Sequence, residues 1–245
     1  MTESKSAAPL SLPTNIPSLS LYDSRVGDYC NIMKAAYYEY RETSQWLCRH
    51  RTTAPSNLWS VEFRTDFYGI GRRNAYAGHT TVVFAGLLLE AAANSAGCHF
   101  FGDDYQRIYY LDVPTKWEYL LAGLYGHRLD RSRALYGDLI KQQKARNALV
   151  HSKAKRLDQE SIPTALGSAA RKAEVSRVED SYRAVARLSF AVRQFSPSFQ
   201  VEWNHLLPSF DTRRDPWLKS EIPEAIREEV CVQLGQLRAN VAKCV

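Results

Sequence analysis

One short segment of the chain combines residue types that can act on a phosphate ester. Arg146, Asn147 and His151 lie within six residues, around an apolar trio. Arginine holds phosphate oxygens with a permanent planar cation, histidine exchanges protons near neutral pH, and asparagine can orient either group. In a helix, Asn147 and His151 share a face, with Arg146 about 100° around the axis from Asn147. The segment predicts a small phosphate site, and the alternative is an amphipathic helix ending in solvated charges.

Glu90 and Asn94 form a second polar pair, four residues apart in an otherwise apolar stretch. An unpaired carboxylate would be unfavourable there. Three interpretations remain open. The pair could orient Arg146 or His151, it could bind another Arg or Lys for packing, or it could lie on a face that reaches solvent.

Positive charge is concentrated around the first segment. The chain has a formal net charge of +6, yet residues 127–187 alone hold fourteen Lys and Arg against seven Asp and Glu. An anionic partner should therefore bind near this region. Four cations next to the Arg146 segment are expected to contact RNA, the alternative being ordinary solvation. They are Lys144, Lys153, Lys155 and Arg156.

The elements that must position these residues are predicted to be helices, because apolar residues recur at helical spacing along most of the chain. Helices are predicted over residues 24–48, 78–97, 115–125, 132–152, 174–195 and 223–242, with Ser24 and Ser132 as N-caps. Alternation at Trp59, Val61 and Phe63 favours a short strand, and Gly69 and Gly71 indicate a turn. Residues 152–172 are expected to form a mobile loop.

Four segments follow from this pattern: a flexible tail over 1–21, an N-terminal helical extension over 22–75, a helical bundle over 76–195, and a C-terminal extension over 196–245 that packs on the bundle. The tail holds three prolines at four-residue spacing, which disfavours a helix. Truncation of the tail is expected to leave stability unchanged.

Composition excludes several classes of protein. The 245 residues are 45% hydrophobic and 24% charged, which is typical of a globular chain. Five cysteines without a C-x-x-C pair indicate reduced thiols, and the histidines lack metal-ligand spacing, so neither a disulfide scaffold nor a metal site is expected. The start lacks a signal-peptide pattern, and the longest apolar run is shorter than the ~20 residues of a membrane span. The expected location is cytoplasmic, without membrane contact.

Arg146-Asn147-x-x-x-His151 at the end of a helix resembles the R-x4-H motif of the HEPN superfamily. The apolar helix around Glu90 and Asn94, and the opening Pro114-Thr115-Lys116-Trp117 of the next helix, are similar to the helices that precede this motif in toxin-like and defence-associated HEPN proteins. The resemblance covers residues 76–195, about half of the chain. The motif itself is short.

The resemblance implies an all-α helical bundle with a HEPN-like core, here with an N-terminal helix and a C-terminal helical extension. It implies a metal-independent endoribonuclease without a cofactor, with a composite site across a homodimer. His151 would be the general base or acid, Arg146 would stabilise the phosphorane, and Asn147 is the polar residue that follows the arginine. RNA, and an antitoxin or regulatory protein, are the partners implied for such a toxin or defence effector.

Lys153 departs from part of the family. Some members carry a tyrosine at this position, two residues after the histidine, as a target for adenylylation. Regulation of that kind is therefore not expected here.

Two other functions remain open at this point. The first is a non-catalytic HEPN-type module that binds nucleotide or RNA, or that only dimerises. The second is a helical interaction protein in which the motif is accidental. Arg146, Asn147 and His151 together favour catalysis, because a purely structural helix needs none of them.

Overall fold

A computed structural model of the chain describes residues 25–50, 59–125, 129–151, 168–195 and 206–219. These residues form an all-α helical bundle, as predicted, with no strand among them. The longer elements are α1 (Val26–Arg49), α2 (Val61–Phe101), a 3-10 helix (Gly102–Arg107), α3 (Val113–Tyr125), α4 (Ala134–Val150) and α5 (Ser168–Phe195).

Helix α2 corrects two predictions made from the sequence. The strand predicted around Trp59, Val61 and Phe63 is the start of this helix, and Gly69 and Gly71 lie inside it rather than in a turn. The Ser60 hydroxyl accepts a hydrogen bond from the Phe63 amide at 3.1 Å, as an N-cap does.

The aromatic rings at the start of α2 explain why the alternation misled. Phe67 follows Phe63 by four residues, and the Trp59 ring lies 5.2 Å from Phe63 and 5.1 Å from Phe67. Three aromatic residues at successive four-residue intervals share one face of a helix. Trp59 and Phe63 alone also fit a strand, because an even spacing places both on one face of a sheet. Neither Gly69 nor Gly71 has a positive φ, and a Cβ at either would meet nothing within 4 Å, so α2 does not require glycine at these positions.

The remaining boundaries agree in part with the prediction. Helix α3 begins one residue before Pro114, as expected for proline at a first-turn position. Helix α4 begins at Ala134, and Ser132 is not its cap, because its amide and hydroxyl both donate to the Asp130 carboxylate in the preceding turn. Helix α5 begins at Ser168, so the predicted mobile loop is wrong over residues 168–172.

Several predictions lie outside the described residues. These are the N-cap at Ser24, the tail over 1–21, most of the loop after Ser152, and the last helix over 223–242. Only residues 206–219 of the predicted C-terminal extension can be described. The predicted division between residues 75 and 76 falls within α2, which is continuous across it.

The chain divides into two compact units. The first contains the described residues of Met1–Val26, Leu89–Ile140 and Ala186–Val245, and the second contains those of Gly27–Leu88 and Lys141–Val185. In the first unit, the fully buried Trp117 donates its indole N–H to the Leu89 carbonyl oxygen, and Arg187 pairs with the buried carboxylate of Asp138. These contacts fix α3 against α2, and α5 against α4, within that unit.

In the second unit, α1 packs on α5 through aromatic rings. The Tyr37 and Tyr182 rings stack with centroids 3.7 Å apart, and the Tyr37 hydroxyl donates to Glu179 at 2.7 Å. Two buried aromatic side chains account for a large share of the apolar area at such a contact. Helix α1 therefore fixes the N-terminal half of α5, which also packs beside α4 in this unit.

The segment Val61–Arg107 is long and apolar enough to cross a membrane by length and composition. Its most apolar 18-residue window has a mean hydropathy of 1.4, and 61% of that window is buried within the protein. The core helix of a globular bundle has the same properties, so the window by itself does not indicate a membrane span.

Candidate functional site

The C-terminal part of α4 holds Arg146, Asn147 and His151, called the α4 site below. The Arg146 guanidinium donates from Nη1 to Asn147 Oδ1 at 3.1 Å, and both side chains are half-buried. Within the described part of the chain, this is the only hydrogen bond or ion pair of the Arg146 side chain. Most of its donors are therefore available to a ligand.

His151 is the first residue after α4 and is exposed. Its amide donates to the Asn147 carbonyl oxygen at 2.9 Å, so the backbone continues the helical pattern up to the histidine. Asn147 and His151 lie on one face as predicted, whereas Arg146 and His151 are separated by about 140° around the helix. One copy of the segment therefore presents its cation and its imidazole on different sides of α4.

Helix α2 positions the stem of Arg146. A Cβ at Gly86 would lie 2.9 Å from Arg146 Cγ and 3.0 Å from Gln142 Nε2, so only glycine lets α4 approach this closely. Gln142 is buried and donates to the Val82 carbonyl oxygen at 3.0 Å, which fixes the register of α4 on α2.

Sequence reasoning missed Gly86 and Gln142 as positioning residues. A glycine inside a long apolar helix was the available signal, because it is unfavourable by about 1 kcal/mol unless a close approach requires it. No comparable signal marks Gln142, whose partner is a backbone carbonyl of another helix.

The predicted RNA-contacting cations are only partly described. Lys144 is exposed on α4, three residues before Asn147. Lys153, Lys155 and Arg156 lie outside the described residues. Contact between these four cations and RNA stays a prediction.

Glu90 and Asn94 belong to a separate polar group in the first unit, called the Asn94 cluster below. It consists of Glu90, Asn94, Tyr105, Tyr109 and Lys116. Asn94 Oδ1 accepts hydrogen bonds from the Tyr105 hydroxyl at 2.7 Å and from Lys116 Nζ at 2.9 Å, and the same ammonium lies 4.9 Å from the Tyr109 ring centroid. The contacts of Asn94 match the second alternative, in which a cation is bound for packing, whereas Glu90 has no hydrogen bond or ion pair among the described residues. A role of Glu90 or Asn94 in orienting Arg146 or His151 stays a prediction.

Burial governs the electrostatics of the Asn94 cluster. Lys116 is 3% exposed, and burial lowers the pKa of its ammonium while the nearby Glu90 carboxylate opposes the shift. Burial also raises the pKa of the Tyr105 phenol, and Cys98, Tyr109 and Glu90 add to the effect. Gly97 makes room for this ring, since a Cβ there would lie 2.1 Å from it.

No group of three or more His, Cys, Asp or Glu side chains in the described ranges could hold a metal ion. Of the cysteines in those ranges, Cys30, Cys48 and Cys98 are free thiols, and burial raises the pKa of Cys30 and of Cys98.

Comparison of the chain with protein-family models, curated proteins and solved structures gives no significant match.

Proposed function

We propose that this chain is a metal-independent endoribonuclease of HEPN type. The observation that carries the proposal is the α4 site: a guanidinium with one amide partner among the described residues, on a helix that is followed directly by an exposed histidine. Most of the donors of Arg146 have no acceptor among the described residues. A half-buried cation in that state is well suited to the oxygens of a phosphodiester.

Each residue of the site has a defined part in the reaction. A ribose 2′-hydroxyl attacks the adjacent phosphorus, its proton passes to an imidazole, and the 5′-oxygen leaves with a proton from an acid. The products are a 2′,3′-cyclic phosphate and a 5′-hydroxyl end. His151 supplies the proton transfer, and Arg146 stabilises the negative charge that develops on the phosphorane. Asn147 holds the guanidinium through its side-chain oxygen.

A homodimer would complete the site. One copy presents Arg146 and His151 on different sides of α4, whereas the reaction needs a base, an acid and a cation around one phosphate. Two facing copies would supply two histidines and two arginines. In the same proposal the protein is a toxin or defence effector, controlled by an antitoxin or another regulatory protein.

The test is RNA cleavage by the purified full-length chain in EDTA, with light scattering on the same sample. We expect a dimer, 2′,3′-cyclic phosphate ends, and a rate that His151→Ala lowers ~100- to 10,000-fold because the proton transfer is lost. His50→Ala is a matched control. It removes a histidine that also follows directly after a helix, but one that stacks on Trp46 at 4.0 Å.

The outcomes separate the functions that the sequence leaves open. If RNA stays intact, or if His151→Ala cleaves as fast as wild type, the ribonuclease proposal fails. RNA binding without cleavage would then favour a non-catalytic binding module. A monomer that cleaves RNA would overturn only the composite site.

A further inference from the structure

A cleft of about 390 Å³ lies between α4 and α5 within the second unit. Three cations line it, Lys141 and Lys144 from α4 and Arg177 from α5. The α4 residues at the cleft occupy positions i, i+3, i+4 and i+7 and so share one helix face. The small side chains of Ala145 and Ala148 lie between the two lysines and the end of the helix, and they leave room for a ligand.

Among the described residues, the positive charge of this cleft exceeds the negative charge. The side chains of Lys141, Lys144 and Arg177 have no hydrogen bond or ion pair in the described ranges, and all three residues are exposed. Asp180 is the only acidic residue among the described residues of the lining. Its carboxylate already accepts Arg183 Nη1 at 3.2 Å and the Ser176 hydroxyl at 3.1 Å.

Cleft volume and charge together indicate the chemistry of the ligand. The volume is near the lower end of the about 300–1,000 Å³ that small-molecule sites occupy, enough for a nucleotide unit but not for a folded partner. Three cations favour an anion, and lysine and arginine are the usual phosphate ligands of proteins. The alanines contribute an apolar wall beside which a ribose can lie.

We propose that this α4–α5 cleft binds the RNA backbone on its way to the α4 site. The inference rests on the proposed ribonuclease function and names the path of its substrate. Lys144 and Lys141 precede His151 by seven and ten residues, or about 10 and 15 Å along the helix axis. With about 3.4 Å per stacked nucleotide, three to five nucleotides bridge that distance. The phosphates held by the cleft are therefore not the one that is cleaved.

The test measures binding of a twelve-nucleotide single-stranded RNA to the His151→Ala chain as a function of salt. Adding Lys141→Ala and Arg177→Ala should make the negative slope of log K against log salt shallower by about 1.4. This change corresponds to an affinity for the RNA that is about 25-fold lower at 0.1 M salt. The control is Arg72→Ala, which removes an exposed cation of α2 without a described partner. It should leave the slope nearly unchanged.

Substrate length gives a second readout in a chain that retains His151. The double substitution should slow cleavage of the twelve-nucleotide RNA and leave cleavage of a dinucleotide unchanged, because a dinucleotide cannot reach the cleft. A ribonucleoside monophosphate should bind only weakly. Tight monophosphate binding that depends on both cations would overturn the RNA path and make the cleft a nucleotide site.

These experiments can refute the cleft proposal without refuting the proposed ribonuclease function, and the reverse. If the wild-type chain cleaves RNA but the double variant binds like the Arg72→Ala control, the cleft proposal is wrong and the ribonuclease stands. If no variant cleaves RNA but binding depends on Lys141 and Arg177, the ribonuclease is wrong and the cleft stands.

Discussion

The Asn94 cluster and the α4 site both pair a cation with the oxygen of an amide side chain, in opposite surroundings. Lys116 Nζ donates to Asn94 Oδ1 at 2.9 Å, and Arg146 Nη1 donates to Asn147 Oδ1 at 3.1 Å. Lys116 is buried, and its amide partner also accepts a tyrosine hydroxyl. Arg146 is half-buried, with an exposed histidine at the end of the same helix.

The difference shows how a polar group for packing can be told from one for binding. In the Asn94 cluster the amide oxygen of Asn94 has two donors, Tyr105 and Lys116, and the Lys116 ammonium also faces an aromatic ring. Removing one member leaves a buried group unsatisfied, so stability depends on the set. In the α4 site, the guanidinium keeps donors without acceptors in the described ranges, so its removal should affect ligand chemistry more than folding.

The largest expected effect comes from one substitution in each region. Arg146→Lys keeps the stem but loses the planar fork, and should lower the cleavage rate ~100- to 1,000-fold with little change in stability. Asn94→Ala should lower the free energy of unfolding by about 1–3 kcal/mol, because Lys116 and Tyr105 lose their acceptor, with cleavage nearly unchanged. Denaturant unfolding and single-turnover cleavage measure the two quantities.

The contrast between the two regions would be wrong if Asn94→Ala changed cleavage and left stability unchanged. Lost cleavage at unchanged stability would show that Asn94 orients the α4 site, which is the first of the three interpretations that the sequence leaves open. For Arg146→Lys, a large loss of stability would assign the guanidinium to packing.

Two glycines of α2 extend the comparison to side-chain packing. Gly97→Ala should lower the free energy of unfolding by about 1–3 kcal/mol, because the new Cβ would overlap the buried Tyr105 ring. Gly71→Ala is the matched control, with nothing within 4 Å of its Cβ, and should raise stability by about 0.4–1 kcal/mol. Thermal unfolding distinguishes the two. A Gly97→Ala chain as stable as wild type would mean that the Tyr105 ring is loosely held.

The smallest expected effect is a pH dependence of the Asn94 cluster. The folded-state pKa of Lys116 is lowered by burial, so the unfolded chain binds the proton more tightly. The buried Lys116 ammonium therefore lowers the free energy of unfolding by its full amount below the folded-state pKa. This unfavourable contribution disappears as pH rises toward the unfolded-state pKa of about 10.4. The free energy of unfolding, relative to Lys116→Met, should rise with pH in that window.

Denaturant unfolding of both chains between neutral pH and about pH 9 measures this difference. The upper limit avoids the range in which Tyr105 titrates in the unfolded chain, where its raised folded pKa acts in the opposite direction. A difference that stays constant with pH would show that the Lys116 ammonium is hydrated.

The all-α class and the helices that carry the candidate site follow from the sequence alone. Apolar residues at helical spacing define α1 and α3, because each must bury one stripe. The local arrangement of Arg146, Asn147 and His151 could also be predicted, since spacing along one helix fixes the angles between side chains. Prediction failed at Trp59, Val61 and Phe63, where three alternating residues fit either periodicity and the Ser60 cap decided for a helix.

Which polar residues have partners depends on the tertiary structure. Asn94 could not be assigned from the sequence, because its hydrogen-bond partners lie 11 and 22 positions later in the chain, through a turn and a new helix. The close approach at Gly86 and the meeting of Lys141 with Arg177 likewise depend on how α2 and α5 pack on α4. Periodicity fixes a residue on its own helix, whereas its partners depend on contacts between distant segments, which no local spacing encodes.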